Sequence, residues 1–139
     1  MQLTTNFTLE ELIHSDTANA KGIDNTPTKE IEENLKYLAE KALQPIRDKW
    51  GKPLTVNSGY RCKELNKAVG GVSNSSHLTG LAADIEAGTN EDNKKLFNFI
   101  SEMVKNKEIT VDQVIDEKNY AWIHVGISRE NNRNEVFHL

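Results

Sequence analysis

A chain of 139 residues, 37% hydrophobic and 27% charged, has the length and composition of one domain able to bury its own core. Acids and bases are interspersed and the net charge is −4, so there is no clustered basic face of the kind nucleic-acid binding requires. No apolar run approaches the roughly 20 residues that span a bilayer, and the single cysteine, Cys62, excludes an internal disulfide and a multi-thiolate metal site.

Residues 1–10 lack the basic start and apolar stretch of a secretory signal, which predicts synthesis in the cytoplasm. Residues 7–12 read as a helix start: Thr8 and Glu11 match a capping box, with Phe7 and Leu12 at the staple positions. The polar segment 15–25 reads as a loop. Thr26-Pro27 opens the longest helix, with threonine as cap and proline at the first helical position. Ile31, Leu35, Leu38, Ala39, Ala42 and Ile46 recur at helical spacing and form its buried stripe. Pro45 predicts a kink near the end of that helix, and Gly51-Lys-Pro53 a stop.

A strand over 54–58 follows, then a short helix over 63–69 ended by Gly70-Gly71. Residues 81–85 read as a second strand, and Asn90 caps a helix running to 106. Three strands close the chain, over 112–117, 121–128 and 135–139. Helices first, then strands joined by short turns, predict a single α+β domain over 1–139, an antiparallel sheet with helices on one face.

The chemistry concentrates in three segments: Ser58-Gly-Tyr-Arg61, Ser75-Ser-His77-Leu-Thr-Gly80-Leu-Ala-Ala-Asp84 and Trp122-Ile-His124-Val125. Two imidazoles and one carboxylate make a nitrogen and oxygen ligand set that suits one zinc ion, and three protein ligands leave a fourth position open, as in catalytic sites. A His and an Asp seven apart carry little weight alone. Gly80, after Gly70-Gly71 and a serine-rich run, disfavours one helix through both; a loop bearing His77 that turns into a strand bearing Asp84 fits better. His124 lies in a strand whose apolar face, Ile123, Val125 and Ile127, is complete without it.

A hydrolytic zinc site also needs a base. Directly paired residues of a hairpin share a face. An even loop, such as Lys118-Asn119 or Asn119-Tyr120, pairs odd positions with even ones and puts Glu117 on the face of Trp122 and His124. An odd loop would put Asp116 there instead. Two-residue loops are the commonest, which favours Glu117 over Asp116; both are otherwise turn acids in water. Arg61 is either an oxyanion partner or a solvated surface charge. Ser75 either bonds substrate or shapes the turn before His77. Cys62 has no partner thiol, and His14 and His138 no metal-like company.

Together with Leu65-Asn66 and Val69-Gly-Gly71, these segments resemble the zinc D-Ala-D-Ala carboxypeptidase family, which includes bacteriophage endolysins and vancomycin-resistance dipeptidases. Residues 7–12, Asn25-Thr-Pro27 and Gly51-Lys-Pro53 are similar to its short, single-domain, phage-type branch. The resemblance implies an α+β fold with a central antiparallel sheet, shared with the hedgehog signalling domain. It implies one zinc ion held by His77, Asp84 and His124, and substrate contacts from Arg61 and Ser75. It further implies a monomer that cleaves peptidoglycan stem peptides after release from the cell that makes it. One departure stands out. Several relatives carry the catalytic acid three residues before the last histidine, where this chain has Ala121. Either Glu117 supplies that acid, or the domain is a zinc-stabilised cell-wall-binding or phage structural module without turnover.

Overall fold

Local capping signals set the helices of the N-terminal third. In α1 (Leu9–Ile13) Thr8 accepts from the Glu11 amide while the Glu11 carboxylate accepts from the Thr8 amide, the capping box expected from sequence. Segment 15–25, expected as a loop, instead holds α2 (Asp16–Lys21), capped by Ser15 and closed by Gly22 in the left-handed region. A serine cap and a glycine stop suffice for this short helix, although it has no apolar periodicity. The computed structural model describes all residues, 1–139.

The long helix starts two residues later than expected. Thr26 spends its hydroxyl and amide on Asp24, so Thr28 caps α3 (Lys29–Leu38) and Pro27 lies outside it. The disruption expected at Pro45 takes the form of a π turn (Ala39–Leu43) before α4 (Gln44–Trp50). A widened turn accommodates a residue with no amide to donate. Leu35, Leu38, Ala39, Ala42 and Ile46 of the predicted stripe are fully buried, each large aliphatic contributing about 1.5–3 kcal/mol. Trp50 and Phe99 close the far end edge to face.

The remaining elements are β1 (Thr55–Ser58), α5 (Lys63–Ala68), β2 (Ala82–Glu86), α6 (Asn90–Lys105), β3 (Gln113–Glu117), β4 (Trp122–Gly126) and β5 (Glu135–His138). Thr89, not Asn90, caps α6. The strands form one sheet in the order β1-β2-β4-β3-β5. The first four are antiparallel, as expected, but β5 runs parallel to β3. The reason is topological. Both edges of β4 are taken by β2 and β3, so the chain returning through 127–134 pairs at the nearer free edge, beyond β3. Reversing past one strand makes it parallel to that strand.

The domain is therefore α+β with a mixed sheet. Register divides the sheet cleanly. Ala83, Ile85, Val114, Ile123 and Val125 belong to the apolar core shared with α3, α4 and α6. Asp84, Ile115 and His124 lie side by side on the opposite face, which is the face of the site. No helix is long and apolar enough to cross a membrane.

Candidate metal centre

Asp84 and His124 are direct neighbours across β2 and β4, so the sheet itself sets their separation. The His124 Nδ1 lies 3.1 Å from Asp84 Oδ1. His77 arrives from a short 3₁₀ turn, Ser76–Thr79, whose first amides are capped by Ser75: its Oγ accepts from the His77 amide at 3.1 Å. Gly80 then turns the chain into β2 at φ +76, where a Cβ would also press Ile31 and Leu35 at 3.1–3.2 Å. The His77 Nε2 ends 3.3 Å from the same Asp84 oxygen.

All three side chains are buried, and one ligand atom from each lies within 4.8 Å of the others. The donor chemistry fits a cation. His77 Nδ1 is 2.7 Å from the carbonyl of Gly59; a carbonyl only accepts, so Nδ1 carries a hydrogen and Nε2 is the ring nitrogen turned to Asp84. At that distance from a carboxylate Nε2 calls for a positive charge, which either a proton or a bound metal ion supplies. Burial alone would raise the Asp84 carboxyl, but the hydrogen bonds from His124 and then His77 overcome it and hold the group well below the usual carboxylate range. His77, Asp84 and His124 could hold a single metal ion.

Glu117 pairs directly with Trp122, and its Oε2 stands 3.8 Å from His124 Nδ1. The connecting loop has four residues, Lys118 to Ala121, rather than two. It is still even, which is what puts Glu117 on this face. Asp116 points into the other side, where its carboxylate accepts from the Tyr120 amide at 2.6 Å and from His138 Nδ1 at 2.8 Å. Ala121 donates its amide to the Glu117 carbonyl and carries nothing into the site.

Arg61 is anchored beside the metal turn, since its amide donates to the His77 carbonyl at 3.0 Å. Its guanidinium is pushed below its usual range by burial, against the opposing pull of Asp84 and Glu117. The side chain is half-buried, and its Nη1 packs on Gly71, where an added Cβ would lie 2.8 Å from it. Ser75 sits at the head of the turn and its hydroxyl oxygen is committed to His77. Cys62 lies elsewhere: its sulfur caps α5. His14 pairs with Asp16 on the exposed surface, and His138 packs on Phe97 and Tyr120.

Three asparagines frame this site from behind: Asn25 lies in the Asn25-Thr-Pro27 motif, whereas no sequence pattern singles out Asn34 or Asn93. Asn25 bonds the backbone on both sides of Arg61. Asn34 donates to the Thr79 carbonyl at 2.9 Å and accepts from Arg129, fastening the His77 turn to α3. Asn93 donates to the Tyr120 and Ala121 carbonyls, fastening the turn after Glu117 to α6. Asn66, within the recognised motifs, is buried and donates to the Val72 carbonyl.

A family model described as peptidase M15 matches residues 5–126, most of the chain and all of the site. The chain belongs to the peptidase M15 family. Within that family it is similar to the zinc D-Ala-D-Ala carboxypeptidase of Streptomyces albus G, with 52% identity over 48 residues. That match covers 34% of this chain and 19% of the relative, so the chain accounts for about a fifth of the curated protein it resembles.

Proposed function

We propose that this M15 domain is a zinc-dependent peptidase acting on the stem peptides of bacterial peptidoglycan. The observation that supports the reading best is the buried His77, Asp84 and His124 cluster with the Glu117 carboxylate 3.8 Å from His124 Nδ1. Zinc bound by the three side chains would supply Lewis-acid polarisation of a carbonyl and a water acidified toward neutral pKa. His77 is oriented for that ligand role by the Gly59 carbonyl behind it.

Glu117 accepts the proton of the attacking water at a carboxylate oxygen and passes it to the amine nitrogen as the C–N bond breaks. Arg61 places its charge where negative charge develops on the former carbonyl oxygen. Ser75, whose Oγ accepts from the His77 amide, keeps its hydroxyl hydrogen to donate to the substrate backbone. The resemblance to short phage-type enzymes and the Streptomyces relative's name support carboxypeptidase or endolysin-type endopeptidase action, and we take the domain to act as a monomer. The enzyme would be made in the cytoplasm and act on the wall after release.

Purified protein loaded with zinc should release new amine ends from peptidoglycan, and a chelator should stop it. A mass-resolved digest of a defined peptidoglycan would identify the bond cut. Absence of new ends from the zinc-loaded sample would reject peptidase action on that substrate. Ala121 favours a second reading, a zinc-stabilised module that holds the wall without cutting it; retention on insoluble wall without product release would be its signature.

A further inference from the structure

Arg61 occupies a stretch with no regular structure of its own, between the end of β1 at Ser58 and the start of α5 at Lys63. Its position therefore depends on bonds from elsewhere. One comes from the metal turn, the His77 carbonyl accepting from the Arg61 amide. Another holds its neighbour: the Tyr60 amide donates to the Leu12 carbonyl at 2.7 Å. Gly59 makes that approach to α1 possible, since a Cβ there would lie 2.2 Å from the Leu12 carbonyl oxygen.

The remaining bonds all come from one side chain. Asn25 Nδ2 donates to the Tyr60 carbonyl at 3.0 Å and to the Ile13 carbonyl at 2.9 Å. Its Oδ1 accepts from the Cys62 amide at 2.7 Å. The carbonyl before Arg61 and the amide after it thus close on the same amide group, 36 positions earlier in the chain and itself outside any helix or strand. The guanidinium end is different. Its Nε is buried and has no hydrogen-bond partner, so no side-chain bond at that nitrogen fixes its aim. The backbone therefore sets where the side chain starts, and its Nη1 end lies against Gly71, where an added Cβ would stand 2.8 Å away.

We propose that Asn25 is a positioning residue for Arg61, holding the peptide groups on either side so that the Arg61 amide stays on the His77 carbonyl and the side chain starts out beside the metal turn. The chemistry demands an asparagine. Two carbonyls need donors and one amide needs an acceptor, and only a primary amide offers both at this reach. Aspartate would set its oxygens against two carbonyls, and glutamine is one methylene too long.

The test has one arm that does not depend on activity and one that rests on the peptidase reading. In ¹⁵N-labelled metal-free protein, the Arg61 Nε–H resonance is assigned by its disappearance in Arg61→Lys. Asn25→Ala and Asn25→Asp should each shift or broaden it, while Thr28→Ala, which uncaps α3 and touches nothing at Arg61, should leave it in place. Asn25→Asp keeps the acceptor for Cys62 and so retains the fold if the alanine variant does not. An unmoved resonance in both Asn25 variants overturns the proposal.

In the second arm, Asn25→Ala should lower kcat/KM on peptidoglycan peptides by about 10-fold or more in the parent and by less than about 2-fold when Arg61 is already alanine. Equal losses in the two backgrounds would mark Asn25 as merely structural and overturn the proposal. An inactive parent would count against the peptidase reading alone, and the resonance would then decide the inference by itself.

Discussion

The two turns that carry the site solve the same problem in opposite ways. The turn bearing His77 is a right-handed 3₁₀ turn capped by Ser75 and closed by Gly80, the one residue type that takes φ +76 without strain. The turn after Glu117 contains no glycine, yet Lys118, Asn119 and Tyr120 stand consecutively at φ 49, 55 and 63. Left-handed residues usually occur singly, and each costs roughly 1–2 kcal/mol in a non-glycine residue. The cost is offset by outside help: the Asp116 carboxylate accepts from Tyr120, Asn90 donates to the Asn119 carbonyl, and Asn93 donates to the Tyr120 and Ala121 carbonyls. Both turns have ties to distant residues, Asn34 reaching the Thr79 carbonyl in the first, but only in the second do side chains from β3 and α6 hold residues in a strained backbone region. The His77 turn has an unstrained local conformation; the turn after Glu117 depends on tertiary structure.

That contrast can be broken in graded steps. The largest effect belongs to the ligands: Asp84→Ala should lose the ion on dialysis, read as metal stoichiometry falling from one to none, because it leaves the cation two neutral histidines and no anionic ligand. Next is the glycine-closed turn. Gly80→Ala forces a left-handed alanine against Ile31 and Leu35 and should cost about 2–4 kcal/mol in denaturant unfolding. Asp116→Ala should cost about 1–3 kcal/mol by leaving the Tyr120 amide without its acceptor, and should also disturb Glu117. The smallest effect has the opposite sign. Lys118→Gly relieves one strained residue and should stabilise by up to about 1 kcal/mol, the reverse of Gly80→Ala. If Lys118→Gly proved as damaging as Gly80→Ala, the strain account of the second turn would fall.

The same contrast explains what the sequence makes legible. His77, Gly80 and Asp84 lie within eight residues, and their spacing speaks for a turn into a strand; the alternation around His124 shows which face it takes. Parity alone places Glu117 beside His124, and it survives a loop twice the expected length because four is as even as two. Elsewhere local signals mislead or fall silent. Thr26-Pro27 has the form of a helix opening, but Asp24 captures Thr26 and the cap passes to Thr28. The direction of β5 depends on which edges are already occupied, which no local pattern records. Asn34 and Asn93 act through long-range bonds to backbone, and a polar residue with a distant backbone partner leaves no periodicity to find; Asn25 shows in a motif, but its bonds around Arg61 do not.

The account turns on Glu117 serving as the base that Ala121 leaves missing. The direct measurement is amine release from peptidoglycan by zinc-loaded Glu117→Gln, with bound zinc quantified in the same preparation. Glutamine keeps the size and removes the proton acceptor, so zinc content should equal that of the parent while the rate falls by about 100-fold or more. A variant that retains its zinc and cleaves as fast as the parent would contradict the account.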